Sequence, residues 1–237
     1  MDNGSLLRLN LGCGLNAFPG WVNIDESWGP WLARHRWTKA MLRSVGALSP
    51  YQYSLAWPEN IVRRDVTRGL PWPDGSAEAI YSANMINRLH PDDVLPLLAE
   101  CLRVLAPGGL LRVALPDLES RVNSYLLDKQ TKPYAGDLLM KWLSSRPVRW
   151  RRFPHVLIEA ARYRPIRWAF DFDSFSRLAE EAGFVSAKRC ALGSGDCPDL
   201  QYEGRAFSGE RVEQITASHQ FFYEATTPKG GSSSLKF

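Results

Sequence analysis

The chain has 237 residues, 45% apolar and 23% charged, with a formal net charge of +4. That composition is ordinary for one globular α/β domain carrying a helical embellishment. No run approaches the ~20 consecutive apolar residues of a membrane-spanning helix. The first residues lead straight into an apolar stretch without a basic n-region, so we expect no secretory signal and a cytoplasmic location. Cys13, Cys101, Cys190 and Cys197 form no CxxC pair and have no histidine at finger spacing, which disfavours structural zinc and a disulfide framework and points to reduced thiols.

In chain order, Leu6 to Leu11 is a short apolar run, interrupted by Arg8 and Asn10 and closed by Gly12, as in a buried strand ending in a tight turn. Trp21 to Ile24, after the Pro19-Gly20 turn, reads as a second strand with Asp25 at its C-terminal end. Residues 27–58 read as an insertion, helical from Ser27 to Gly46 and rich in Trp and Arg, before a third strand near Ile61 to Asp65.

Ala79 to Ser82 reads as a fourth strand and Pro91 to Leu105 as an amphipathic helix, which Pro107-Gly108-Gly109 should stop before a strand from Leu110 to Leu115. Residues 122–168 are expected to form a mainly helical cap broken by Pro133, Pro147 and Pro154. Phe172 to Ala182 has helical spacing and stops at Gly183; Phe184 to Cys190 and Gln220 to Ala225 read as strands. Residues 1–227 would then make one domain, and 228–237 a disordered Gly/Ser-rich tail. Strands alternating with helices predict a Rossmann-like sheet, mostly parallel with helices on both faces, whose ligands bind beyond the carboxyl ends of the strands.

Gly12-Cys13-Gly14 directly after a strand is a backbone suited to close approach, because glycine permits positive φ and no Cβ shields the peptide N–H groups. Ala17 completes a G-x-G-x-x-A pattern, so a dinucleotide site must be weighed. Pro19-Gly20 truncates any helix that would offer its positive end to a pyrophosphate, and Asp25 follows Gly14 far sooner than the ~20-residue spacing of a dinucleotide fold. A ligand with a ribose but no pyrophosphate suits this loop better, with Asp25 accepting from both ribose hydroxyls. S-adenosylmethionine is such a ligand. The plainer readings are a tight turn for the glycines, a helix cap for Asp25, and a turn-forming Asp before Thr67 for Asp65.

The ordered set Leu9-Asn10-Leu11-Gly12-Cys13-Gly14, Gly20-Trp21-Val22-Asn23-Ile24-Asp25, Asp65 with Gly69 to Ser76, Arg103 to Gly109 and Leu115-Pro116-Asp117 resembles class I SAM-dependent methyltransferases. In particular it is similar to a bacterial branch often associated with surface-polysaccharide biosynthesis. The resemblance implies a seven-stranded sheet with a reversed last strand and a helical cap insertion. It implies the methionine moiety along Leu11, Gly12, Cys13 and Gly14, the ribose on Asp25, the adenine by Asp65 and Val66, and the transferred methyl near Ser82, Ala83 and Asn84. Relatives often carry Ser-His-x-x-Glu-His after strand four, where this chain has Ala83-Asn84-Met85-Ile86-Asn87-Arg88, and a histidine shortly before the positions of Trp168 and Asp171 is also missing.

Methyl transfer from a sulfonium needs alignment and, for a hydroxyl acceptor, removal of a proton. The catalytic candidates are Asn84, His90 and Asp171, with His155 and Asp173 as weaker ones; His90, Asp171 and Asp173 suit helix caps as well. The segment from Arg146 to Trp168 interleaves arginines with Trp150, Phe153 and Tyr163, which fits an anionic glycan, a nucleotide-sugar or a nucleic acid or, equally, a solvated basic face over buried aromatics. Trp28, Trp31, Arg34, Arg36, Trp37, Lys39 and Arg43 repeat the theme in an arrangement that suits an anionic membrane surface. The same tryptophans would also suit closure over the cofactor or a homodimer contact. The expected function is methyl transfer from SAM to a small-molecule or glycan acceptor, most naturally at oxygen, without a metal. The competing readings are a SAM-binding partner subunit without catalysis and, less favoured because no nucleic-acid-binding motif is appended, an RNA methyltransferase.

Overall fold

A computed structural model describes residues 6–48, 50–143, 166–207 and 219–230. The central element is a seven-stranded sheet made of β1 (Leu7–Leu11), β2 (Val22–Asp25), β3 (Ile61–Arg63), β4 (Ala77–Ala83), β5 (Leu105–Pro116), β6 (Val185–Cys190) and β7 (Gln220–Thr226). Their order across the sheet is β3-β2-β1-β4-β5-β7-β6. The pairs from β3 through β5 are parallel, and β7 runs antiparallel to both β5 and β6. This is the Rossmann-like class I methyltransferase sheet expected from the sequence, including its reversed last strand. The chain leaves β1 in one direction for β2 and β3 and returns to the other side for β4 and β5. That reversal opens a crevice above the ends of β1 and β4.

The core sits between the sheet and its helices. Helix α4 (Pro91–Val104) buries Val94, Leu97, Leu98, Cys101 and Leu102, a one-sided 3.6-residue pattern. Asp92 and Asp93 favour its positive end and Arg103 its negative one. Helix α7 (Phe172–Glu181) adds Phe175 and Ala179 to the same core. Helices α1 (Gly29–Arg34), α2 (Arg36–Ser44) and α3 (Pro50–Ser54) follow β2, while α5 (Leu118–Asp128) and α6 (Ala135–Leu143) follow β5.

Three boundaries differ from the sequence reading. Strand β5 begins at Leu105, immediately after α4, rather than after the Pro107-Gly108-Gly109 turn. Leu105 already pairs with Ala77, and the register then slips between Ala77 and Ala79 to accommodate the glycines. Strand β3 stops at Arg63, and Asp65 caps a short 3-10 turn at Val66–Arg68. A 3-10 segment at Leu200–Phe207 was not read from the sequence, since its fixing contacts are long-range. Of the expected cap, residues 144–165 lie outside the described residues, as does the tail from 231 onward.

Candidate cofactor and acceptor site

A cavity of about 1830 Å³ opens at the carboxyl ends of β1 to β4. Gly12, Cys13, Gly14, Asp25, Asp65, Val66, Ala83 and Asn84 all line it, so most positions picked from the sequence converge there. Leu11 and Ser82 lie within the sheet, buried to about 1% exposure, and are not among the lining residues. His90 and Asp171 are not among them either. His90 is the exposed N-cap of α4, and Asp171 caps α7 through a reciprocal capping box with Ser174. His155 lies outside the described residues.

The glycine loop is held from both sides. Cys13 N–H donates to the Ile24 carbonyl at 3.0 Å, and Gly14 N–H donates to Asp25 Oδ2 at 2.9 Å. Asp25 Oδ1 accepts from Ser27 N–H at 2.8 Å. Each carboxylate oxygen therefore has one backbone donor and retains capacity for another. Gly12 and Gly14 both have positive φ, +67° and +54°, and an added Cβ at Gly14 would meet open space. An open backbone beside an anchored carboxylate fits a ligand that carries both a ribose and a cationic amino-acid end. Burial, reinforced by the nearby Asp25 charge, pushes the Cys13 thiol up to about 12, so it stays neutral beside the loop.

Two buried asparagines, absent from the sequence reading as site residues, shape this loop. Asn10 Nδ2 donates to Asn23 Oδ1 and to the Asn16 carbonyl, both at 2.9 Å. Asn23 in turn accepts from Phe18 N–H and donates to the Phe18 and Trp21 carbonyls. The polar residue interrupting an apolar strand was the available signal, because a buried amide must find partners.

Asp65 Oδ1 accepts from the Thr67 N–H and hydroxyl, which is the turn-forming role, while its residue also borders the cavity. At the end of β4, Asn84 adopts φ +53°, and its N–H donates to the Ala114 carbonyl. Its Oδ1 accepts from Gln220 Nε2 at 3.1 Å, which turns Nδ2 into the group left to donate. Arg88 Nε donates to the Asn84 carbonyl at 2.8 Å. The far wall comes from the insertion: Trp28, Trp31, Leu32, Leu42, Leu48, Leu55 and Trp57 supply apolar surface. The Arg63 guanidinium lies 3.6 Å from the centre of the Trp28 ring.

A family model described as a methyltransferase domain matches residues 33–113, about a third of the chain, from α1 into β5. No curated protein matches the sequence at a significant level. Solved structures that resemble it include a SAM-dependent methyltransferase from Methanosarcina mazei, at 16% identity and a TM-score of 0.48, covering 94% of this chain and 92% of that one. A SAM-dependent methyltransferase from Archaeoglobus fulgidus matches at 13% identity and a TM-score of 0.46, covering 94% and 87%. A Bordetella parapertussis protein described as a "possible exported protein" matches at 15% and 0.45; the chain covers 62% of it and is itself covered to 94%.

The sheet order and the acid at the end of β2 are those of the Rossmann-like class I methyltransferase fold, and the matched third of the chain is similar to a methyltransferase domain.

Proposed function

We propose that this chain is a SAM-dependent methyltransferase that acts on a hydroxyl of a small-molecule or glycan acceptor, with the glycan reading following the polysaccharide-biosynthesis branch that the motifs resemble. The observation that carries it is the size of the cavity. At about 1830 Å³ it exceeds the roughly 300–1,000 Å³ typical of a small-molecule site, so a second, sizeable ligand fits beside the cofactor.

Bound SAM supplies an electrophilic methyl group on a sulfonium, and the chain supplies alignment. Asp25 would hold the ribose and the Gly12 to Gly14 backbone the methionine end, with Asp65 and Val66 lining the part of the cavity left for the adenine. Asn84, its amide oriented by Gln220, donates from Nδ2 to the acceptor oxygen and sets its approach. Lys39, Arg63, Arg64, Arg68 and Arg88 outnumber Asp25, Glu26 and Asp65 around the cavity. This positive field favours an anionic acceptor, and the hydroxyl proton released on transfer of the methyl group would pass to water.

A second reading, a SAM-binding partner subunit without catalysis, is favoured by one observation: His90 and Asp171 both cap helices away from the cavity. Turnover separates the two. The test is calorimetric titration with SAM and S-adenosylhomocysteine, followed by methyl transfer from labelled SAM to a panel of nucleotide-sugars and glycans. Asp25→Asn is expected to weaken SAM about 100-fold, the loss of two charge-assisted hydrogen bonds at about 1.5 kcal/mol each. SAM binding without turnover on any acceptor would favour the partner subunit.

A further inference from the structure

Helix α2 presents two unlike faces. Lys39 and Leu42 line the cavity, whereas Trp37, Met41 and Val45, four residues apart, form a stripe on the other side. Trp37 is 91% exposed, Met41 59% and Val45 69%, and no residue of α2 is buried. An exposed apolar stripe of this kind marks an interaction surface rather than a core helix.

The charge around the stripe identifies its partner. Residues 27–58 contain no Asp or Glu and carry Arg34, Arg36, Lys39 and Arg43, a local charge of +4. Arg34 is turned to the Glu59 and Ile61 carbonyls, and Lys39 to the Leu55 carbonyl at 3.1 Å. Arg36 and Arg43 form no ion pair among the described residues, and at 100° per residue both fall on the polar side of the helix, about 140–160° round from the centre of the stripe, as in a helix that lies in the plane of an interface. A two-fold contact between copies through α2 would bring two such acid-free, basic segments together. An anionic lipid surface satisfies both features, taking the apolar residues at the acyl boundary and the guanidinium groups among the headgroups.

We propose that α2 docks this enzyme on an anionic membrane surface, with Trp37, Met41 and Val45 inserted and Arg36 and Arg43 against lipid phosphates. Since Lys39 and Leu42 of the same helix line the cavity, docking places that cavity next to the headgroup layer.

The test is co-flotation of the protein with vesicles rich in phosphatidylglycerol and with pure phosphatidylcholine vesicles, at low and high salt. Binding to the anionic vesicles, weakened by salt, is expected. Arg36→Ala/Arg43→Ala should weaken it roughly 25-fold, about fivefold per cation. Trp37→Ser/Met41→Ser should abolish it while leaving the thermal unfolding profile unchanged, since both side chains are exposed. Equal partition into both vesicle types, or none into either, overturns the proposal. So does a wild-type dimer, seen by analytical ultracentrifugation, that Trp37→Ser/Met41→Ser dissociates, because the stripe would then belong to a contact between copies.

Discussion

Gly12 and Met85 occupy one another's space: a Cβ added to Gly12 would lie 2.3 Å from Met85 Cγ and 2.5 Å from Met85 Cβ. The first glycine of the loop after β1 is thus required by a side chain from the loop after β4, as well as by its own φ of +67°. The two loops, both of which line the cavity, are fitted to each other.

Gly12→Ala is therefore expected to cost about 2–4 kcal/mol, combining left-handed strain with overpacking. It should also weaken SAM binding by displacing the loop after β4. Met85→Gly in the same chain removes both colliding atoms but not the strain at Gly12, so denaturant unfolding of the double variant should recover part of the loss. A double variant no more stable than Gly12→Ala would show that the contact is not the cause.

Arg112 is wholly buried and donates to both carboxylate oxygens of Glu203, at 2.9 and 2.7 Å, and to Glu224 at 3.2 Å. Its other bonds go to the Ser194 and Ala191 carbonyls, which ties residues 191–203 to β5 and β7. Arg112→Met should cost about 3–5 kcal/mol, because it removes the guanidinium paired with buried Glu203 and leaves Glu224 with Lys188 alone as a cation partner. The measurement is chemical denaturation, with SAM affinity of the folded fraction unchanged since Arg112 does not line the cavity.

His90→Ala and Asp171→Ala should each retain most methyl transfer, with the pH profile of kcat unaltered. Asp171 is the more costly change, about 1 kcal/mol of stability, because its carboxylate accepts from Ser174 N–H at 2.8 Å. Hydrogen bonding to Ser174 holds this carboxyl below its ordinary range, as suits a cap. A 100-fold loss of kcat in either variant would restore that residue as a catalytic group.

Burial pushes the thiols of Cys13 and Cys101 from 9.0 up to about 12. The unfolded chain sheds these protons first, so between about pH 9 and 12 it binds fewer protons than the folded state. Stability therefore falls as pH rises through that window, by about 1.4 kcal/mol per pH unit for each thiol. Thermal unfolding from pH 8 to 11 should show the decline, and Cys13→Ala/Cys101→Ala should make it shallower, with the remainder due to Cys197, Tyr81 and Tyr223, which burial also raises. An identical slope in that variant would assign the decline to other groups.

The strand-turn-strand path from Leu7 to Asp25 was legible in the sequence because its signals are local: an apolar run, glycines where positive φ is needed, and an acid at a strand end. The same holds for α4, whose apolar period, first-turn acids and closing arginine lie within one segment. Asp65 was legible only as two alternatives, and the structure gives it the turn-forming hydrogen bonds along with a place in the cavity wall. The start of β5 was misread because Pro107-Gly108-Gly109 signals a break locally, while pairing of Leu105 with Ala77 extends the strand across it.

By itself, then, the sequence determined the order of strands and helices, the glycine loop and the acid that faces it, since these depend on residues close together in the chain. The tertiary structure decided the rest. It showed that Met85 makes Gly12 obligatory, that Gln220 orients Asn84 across 136 residues, that Arg112 finds Glu203 and Glu224, and that His90 and Asp171 stand at helix ends rather than in the cavity. Each of these depends on packing between segments far apart in sequence, where steric fit and the satisfaction of buried polar groups set the outcome and local pattern carries no record of it.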